Sequence, residues 1–271
     1  MQMLPKVSIV TPVLNGERYL ASTIESVLGQ TYKNVEYIIV DGASSDNTIA
    51  IIRSYGDKIS LVISEPDLGQ VDAINKGLTV ATGEWLGWLN YDDLFFPDTL
   101  SIIVQSLIKS HAAFSYGHCQ LIDEHGYPIR KLYSCPQTLR TYQVDGGNIF
   151  QGTVLFSRRL WALYGPLDLN LRGQFEYKLF DNFFRSARGC FVNEVLAQYR
   201  LHEGTVSQKY SNENDREQAS FRDIIFSGES LLRAGLIIRR LYYYLLAGNF
   251  QRAIGEKLRG IVNRGSFPGR H

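Results

Sequence analysis

The chain has 271 residues, of which 45% are hydrophobic and 20% charged, and its formal net charge is +1. This composition is typical of a globular protein, and the near-neutral charge argues against a surface that binds nucleic acid. The three cysteines have no CxxC spacing, which argues against a disulfide framework or a zinc site and favours reduced thiols in a cytoplasmic protein. No run of about 18 apolar residues predicts a membrane-spanning helix.

Apolar, β-branched segments alternate with helical patterns over the first hundred residues. The predicted strands are Val7–Val13, Val35–Val40, Ile59–Ile63 and Trp85–Leu89, and the predicted helices are Leu20–Leu28, Thr48–Tyr55 and Gln70–Ala81. Such an alternation predicts a parallel sheet with helices on both faces. Ligands of these sheets bind beyond the carboxyl ends of the strands.

Polar residues follow each of these strands at its carboxyl end. They are Asn15 and Glu17 after the first strand, Asp41 after the second, Glu65 and Asp67 after the third, and Asp92 and Asp93 after the fourth. Because the carboxyl ends of parallel strands meet at one edge of the sheet, we expect a binding site there.

The pattern changes after about residue 112. A β-ribbon with a turn at Glu124–Gly126 is predicted first, followed by a helix over Phe175–Ala187 and a strand over Val195–Leu201. Two further helical segments, Asn212–Ala234 and the basic, aromatic Arg239–Gly260, complete the chain.

Two carboxylates, Asp92 and Asp93, stand side by side in the otherwise apolar segment WLGWLNYDDLFFP. Burying either of them without a partner costs several kcal/mol. Mg²⁺ or Mn²⁺ takes one or two carboxylates, with water and phosphate in the remaining positions. A loop whose aspartates cap the next helix is an equally good interpretation of these two residues alone.

The segment DLGQVDAINKG opens the helix after the third strand. Asp72, Asn75 and Lys76 are spaced i, i+3 and i+4, which predicts that they share one face of this helix. A solvated surface is the simplest explanation of that face, but a helix N-terminus at the binding edge and a lysine also favour phosphate. Asp41 is a strand-end acid that either accepts a nucleobase N–H or forms a simple turn.

Three segments together resemble glycosyltransferase family 2, the inverting enzymes with the GT-A fold. They are VSIVTPVLNGERYLASTIESVLGQTY, VEYIIVDGASSDNT and EPDLGQVDAINKGLTVATGEWLGWLNYDDLFFPDTL, and the likeness extends more loosely to about residue 207. The resemblance implies an α/β, Rossmann-like and mostly parallel sheet flanked by helices, with a β-ribbon insertion. It also implies a catalytic domain over 1–210, with nucleotide-binding (1–110) and acceptor-binding (111–210) halves, and a helical extension over 211–271.

The resemblance also implies a role for individual residues. Pro12, Asn15 and Glu17 line the nucleotide pocket, Asp41 contacts the base, Asp72 with Lys76 borders the ribose and diphosphate, and Asp92 contacts the ribose. Asp93 ligates Mn²⁺ or Mg²⁺, His202 in YRLHEG contacts the metal or a phosphate, and Glu176 is the catalytic base.

Two positions depart from the family's pattern. Asn90 stands where the family often has an aspartate, so metal binding depends on Asp93. Phe175-Glu176 replaces the more usual Glu-Asp pair, and Asp181 is a competing candidate for the base. On an α-helix Asp181 points about 140° away from Glu176, so both cannot face the cleft; we expect Glu176 to be the base.

The prediction is therefore a metal-dependent inverting glycosyltransferase. It moves a sugar from a nucleoside-diphosphate donor, UDP-linked by resemblance, to a saccharide or lipid-linked hydroxyl in cell-surface polysaccharide biosynthesis. A non-catalytic sugar-nucleotide-binding protein and a nucleotidyltransferase are the alternatives, although NGERYL is not the Gly-rich basic loop of the latter. For the C-terminal extension the hypotheses are contact with the inner face of the cell membrane and homodimer formation.

Overall fold

The computed structural model describes residues 4–145, 149–171 and 175–203. The predicted C-terminal extension therefore lies outside the described residues. The strands are β1 (Val7–Val13), β2 (Val35–Asp41), β3 (Leu61–Ser64), β4 (Trp85–Trp88), β5 (Leu94–Phe95), β6 (Phe114–Ile122), β7 (Pro128–Leu132), β8 (Phe156–Ser157) and β9 (Gly189–Arg200). The helices are α1 (Leu20–Leu28), α2 (Thr48–Ser54), α3 (Gln70–Val80), α4 (Thr99–Ser110), α5 (Leu139–Asp145), α6 (Arg158–Tyr164) and α7 (Phe175–Ser186).

The predicted elements of the first hundred residues are all present. The strand β1 has the predicted bounds and is buried along its whole length. The strand β3 begins at Leu61 rather than Ile59, because the Ile59 N–H closes the preceding 3-10 turn by donating to the Gly56 carbonyl at 3.2 Å.

The sheet is mixed, with the strand order β3-β2-β1-β4-β8-β6-β9-β5. The strand β7 pairs with the C-terminal part of β6, from Cys119 to Ile122. The strands β1 to β4 are parallel, as predicted, so their carboxyl ends lie at one edge. The pairs that involve β5, β7 and β8 are antiparallel. The predicted β-ribbon is the β6–β7 hairpin, and the predicted late strand is longer than expected, since β9 runs parallel to β6 from Gly189 onward.

The core consists of two clusters between the sheet and its helices. Alternate residues of a strand enter different clusters, as the two-residue period of a strand requires. Ile9 packs with α1 and α4, whereas Val10 packs with α3. Cys119, Cys135 and Cys190 are free thiols. Within the described ranges, no helix has both the length and the hydropathy needed to cross a bilayer.

Candidate active site

The acidic loop, which we define as Asn90–Asp93, follows β4 and is fixed from two sides. From α1, the buried Thr23 hydroxyl lies 2.7 Å from the Tyr91 carbonyl oxygen and 2.9 Å from that of Asp93. From the end of β9, Arg200 Nε donates to the Asp92 carbonyl oxygen at 2.9 Å. Because both anchors belong to regular elements, the two carboxylates have defined positions.

Asp93 is buried, with 4% of the residue exposed. Its Oδ1 accepts the backbone N–H of Arg200 at 3.0 Å, and its Oδ2 accepts Asn90 Nδ2 at 3.3 Å. Burial raises the pKa of Asp93 well above its ordinary value, and the neighbouring charge of Asp92 raises it further. The ionised carboxylate is therefore electrostatically costly here, and a cation would lower that cost.

The Asp92 carboxyl points to a different partner. Its Oδ2 lies 2.9 Å from His202 Nε2, and the His202 ring packs on Tyr19 with a centroid distance of 4.7 Å. The two adjacent aspartates therefore diverge: Asp92 pairs with His202, while Asp93 enters the protein interior.

Arg200 is a buried cation that sequence reasoning missed. Its guanidinium donates to the backbone carbonyls of Asp92, Asp123 and Glu124, and it lies 4.8 Å from the centre of the Tyr19 ring. No carboxylate forms an ion pair with Arg200 within the part of the chain that the structure describes. Its charge favours the ionised form of Asp93. The only sequence signal was an arginine two positions before His202.

A cavity of about 170 Å³ lies beside the acidic loop and is lined by residues from distant parts of the sequence. Its walls are formed by Asn90, Asp93, Cys119, Ile149, Phe150, Gln151, Gly152, Glu176, Ala197, Gln198 and Tyr199. The predicted metal ligand and the predicted base thus line the same cavity, although 83 positions separate them in the sequence.

Glu176 lies in the first turn of α7. No described residue forms a hydrogen bond or an ion pair with its carboxyl group. Burial alone raises the pKa of Glu176 to about 7. A carboxyl group of that pKa exists in both protonation states near neutral pH, which is the property that a general base requires.

Asp181, the competing candidate, has a structural role. It accepts Gln143 Nε2 at 2.7 Å and pairs with Arg185 Nε at 2.6 Å, and it does not line the cavity. Of the two acids on α7, only Glu176 therefore faces the same space as Asp93.

The loops that follow β1 and β2, residues 14–19 and 42–47, form what we call the β1–β2 rim. Asn15 Oδ1 accepts the Ser45 N–H at 2.9 Å, and Glu17 Oε2 accepts the Asn47 N–H at 3.0 Å. Asp46 Oδ2 accepts the Glu17 N–H at 3.1 Å. Asn15 has a positive φ of 52°, a conformation that asparagine tolerates. The predicted nucleotide residues Asn15 and Glu17 are thus exposed and tie the two loops together.

Asp41 and Pro12 lie beneath this rim and are buried. Asp41 accepts the Ser44 N–H at 3.2 Å and the Ser64 hydroxyl at 2.8 Å. Pro12 pairs with Val40 inside the parallel sheet. The observed contacts of Asp41 are those of the turn interpretation.

Lys76 and Asp72 share a helix face, as their spacing predicts. Lys76 Nζ lies 2.9 Å from Glu65 Oε1 and 3.4 Å from Asp72 Oδ2, and these carboxylates raise the pKa of the lysine. The placement of Asn75 on this face was wrong. Asn75 is buried, because its amide exchanges two hydrogen bonds of 2.9 and 2.7 Å with the backbone of Leu167 in the loop after α6.

The site has few preformed metal ligands. Among residues 4–145, 149–171 and 175–203, no three His, Cys, Asp or Glu side chains converge on one point. Mg²⁺ and Mn²⁺ nevertheless need only one or two protein carboxylates when a substrate diphosphate supplies further oxygens. The buried Asp93 carboxylate lines the cavity and fits such a cation, whereas His202 pairs with Asp92 and does not line the cavity.

Residues 8–162 match the family model described as Glycosyl transferase family 2. An uncharacterised glycosyltransferase of Rickettsia typhi is 30% identical over 223 residues, which are 79% of this chain and 70% of the relative. Three longer Rickettsia relatives are covered over only 36–38% of their length. The chain is also 27% identical to the Escherichia coli UDP-Glc:α-D-GlcNAc-diphosphoundecaprenol β-1,3-glucosyltransferase WfgD, over 88% of this chain and 90% of WfgD.

A solved structure with a similar fold is the mannosyltransferase PcManGT from Pyrobaculum calidifontis in complex with GDP-Man and Mn²⁺. The two chains superpose with a TM-score of 0.63 at 17% identity, over 98% of this chain and 78% of PcManGT. This likeness confirms the predicted GT-A-type α/β fold.

Proposed function

Because the chain belongs to glycosyl transferase family 2, we propose that it transfers one sugar from a nucleoside-diphosphate donor to an acceptor hydroxyl, with inversion at the anomeric carbon. The observation that supports this proposal most is the cavity lined by both Asp93 and Glu176. Inverting displacement needs a charge-neutralising group at the leaving diphosphate and a base on the opposite face of the sugar.

Asp93 would hold Mn²⁺ or Mg²⁺, and His202, which pairs with the neighbouring Asp92, is the second proposed contact of the metal or of a phosphate. When bound, such a cation neutralises the negative charge that develops on the departing diphosphate. Asp92 contributes by pairing with His202 at 2.9 Å, which keeps that side chain at the acidic loop, and by contacting the ribose. Arg200 holds the loop through the Asp92 carbonyl and so orients both carboxylates.

Glu176 would accept the proton of the attacking hydroxyl. Its carboxyl has no competing partner among the described residues, and its pKa of about 7 matches the task at neutral pH. The oxygen of the acceptor then attacks the anomeric carbon while the bond to the diphosphate breaks, and the configuration inverts.

The β1–β2 rim would bind the nucleoside. In this proposal Asn15 and Glu17 line the pocket, and the buried Pro12 and Asp41 support it from beneath, Asp41 by fixing the Ser44 turn. Asp72 and Lys76 border the ribose and the diphosphate. In the complex the ammonium group of Lys76 would contact a phosphate in place of one of its present carboxylate partners. Uridine is the proposed base, supported by the UDP-Glc donor of WfgD.

The proposed acceptor is a saccharide or a lipid-linked saccharide, in the assembly of a cell-surface polysaccharide. The support is WfgD, whose acceptor carries a diphosphoundecaprenol. We further propose that the enzyme acts in the cytoplasm, at the inner face of the cell membrane, where a lipid-linked acceptor would be within reach. We also propose that the 211–271 extension contacts that membrane or forms a homodimer.

A product analysis tests this function. The protein is incubated with a panel of UDP- and GDP-sugars, Mn²⁺ and saccharide or lipid-linked acceptors. We expect release of a nucleoside diphosphate and a product whose anomeric configuration, read by NMR, is opposite to that of the donor. In a parallel incubation with a nucleoside triphosphate and a sugar 1-phosphate, release of pyrophosphate would identify a nucleotidyltransferase instead. Donor binding without turnover on any acceptor would identify a binding protein.

A further inference from the structure

Gln151 is a buried polar residue of the cavity for which the proposed mechanism has no role. It opens the 3-10 turn Gln151–Thr153 and is 7% exposed. It lines the cavity together with Asp93 and Glu176. Its side chain is therefore close to the space where a transferred sugar must lie.

The two ends of the Gln151 amide differ in their hydrogen bonding. Nε2 donates to the backbone carbonyl of Trp88, the last residue of β4 before the acidic loop. Oε1 is buried and has no hydrogen-bond donor in the described structure. The opposite assignment of oxygen and nitrogen would set two carbonyl oxygens against each other, so the Trp88 contact fixes which atom is left unpaired. A buried acceptor without a donor is costly, and native structures rarely keep one without a reason.

The turn that carries Gln151 is held rigidly. The buried Thr153 hydroxyl accepts the Gly117 N–H from β6 at 3.0 Å, and the Gln151 carbonyl accepts the Val154 N–H at 2.9 Å. The amide thus has a fixed backbone and one fixed end. Its free oxygen is preorganised, since little rotamer entropy remains to be lost when it meets a ligand.

We propose that Gln151 is a specificity-determining residue whose Oε1 accepts a hydrogen bond from a hydroxyl group of the transferred sugar. This inference rests on the proposed function. An amide oxygen only accepts, so its partner must carry an O–H or N–H. The transferred sugar lies between the diphosphate at Asp93 and the base Glu176, whereas the nucleoside lies at the β1–β2 rim, so the sugar is the part of the donor that reaches this cavity.

The test compares two ligands on one variant. Gln151→Met removes the amide with little change in volume. By titration calorimetry in the presence of Mn²⁺, we expect the Kd of the preferred nucleotide sugar to rise roughly tenfold, the effect of losing about one hydrogen bond. The Kd of the matching nucleoside diphosphate, which lacks the sugar, should not change.

Gln120→Met is the matched control. Gln120 is equally buried, its Nε2 donates to the Leu121 carbonyl at 2.9 Å, and it does not line the cavity. We expect it to leave both dissociation constants unchanged. If Gln151→Met does not fold, Gln151→Asn takes its place, because it withdraws the amide by one methylene while remaining polar.

A series of monodeoxy nucleotide sugars identifies the hydroxyl. For one monodeoxy sugar, the Kd of the wild-type protein should equal the Kd that Gln151→Met has for the parent sugar. The Kd of that monodeoxy sugar should also be the same for the wild-type protein and for Gln151→Met. Three results would overturn the inference while the proposed function stands: unchanged affinity for the nucleotide sugar, an equal loss for the nucleoside diphosphate, and a rise only in the acceptor KM. Absence of any nucleotide-sugar binding by the wild-type protein would instead overturn the proposed function itself.

Discussion

In the β1–β2 rim most polar side chains have hydrogen-bond partners, the buried Tyr19 hydroxyl being an exception, whereas in the cavity two polar groups lack one among the described residues. Asn15 and Glu17 accept backbone N–H groups from the facing loop. In the cavity, Glu176 has no partner among the described residues and the Gln151 amide oxygen is unpaired. The hydrogen bonds of the rim therefore stabilise the fold, whereas the unpaired polar groups of the cavity destabilise it and stay available to a substrate. Such a division is common at functional sites.

The largest expected effect comes from the cavity side of this comparison. Asp93→Asn keeps the shape of the side chain but removes its charge, so we expect turnover to fall by about 10² to 10³. Thermal stability at neutral pH should change little, because removal of the buried charge offsets the loss of one of the two N–H groups that the Asp93 carboxylate accepts. Initial rates and thermal melts measure the two effects. Asp57→Asn, on the exposed turn before β3, is the control. A large loss of stability in Asp93→Asn would contradict the conclusion that the cavity destabilises the fold.

The pH dependence of turnover is the next largest effect. Because Glu176 must be ionised to accept a proton and its pKa is about 7, we expect kcat/KM to fall close to tenfold per pH unit below that value and to level off above it. A pH–rate profile from pH 5 to 9 measures this. A profile that is flat down to pH 5 would mean that no group of raised pKa acts as the base.

Glu176→Gln should stabilise the protein at alkaline pH. The pKa of Glu176 is raised on folding from 4.5 to about 7, so the folded state binds this proton more tightly than the unfolded state. The penalty of ionising this partly buried group is absent below pH 4.5 and grows until pH exceeds 7. We expect the glutamine variant to gain on the order of 2 kcal/mol relative to wild type at pH 8 and little at pH 4.5. Urea unfolding at both pH values checks this, and an equal effect at both would refute the linkage.

The smallest effect is expected on the rim side. Asp46 accepts the N–H groups of Thr48 at 2.9 Å and Glu17 at 3.1 Å. Asp46→Ala should therefore cost about 1 kcal/mol in the free energy of unfolding, as the loss of a helix cap does. Denaturant titration measures it. An unchanged stability would show that the rim is not held by these contacts.

The parallel half of the fold could be predicted from the sequence, because its signals are local. The buried strand Val7–Val13 is apolar and β-branched, and the polar residues after each strand mark its carboxyl end. The site was less accessible to such reasoning. Asp93 and Glu176 share a cavity only because β9 and α7 return to the acidic loop, and the family resemblance, not a local pattern, led to Glu176.

Residues that act through nonlocal contacts could not be found from the sequence. Arg200 holds the acidic loop from the far end of β9, and Gln151 reaches the end of β4 from a 3-10 turn. Asn75 has the spacing of a surface residue, but the loop after α6 covers it. In each case the partner lies more than 60 positions away, beyond the range of any periodicity.

The most direct test of the account compares donor binding and turnover in Glu176→Gln. Calorimetry with the preferred nucleotide sugar and Mn²⁺ gives the Kd, and nucleoside-diphosphate release in the presence of the acceptor gives the rate. We expect a Kd close to that of the wild-type protein and a rate lowered by at least about 10². A variant that binds the donor equally well and still transfers the sugar at the wild-type rate would contradict the assignment of Glu176 as the base.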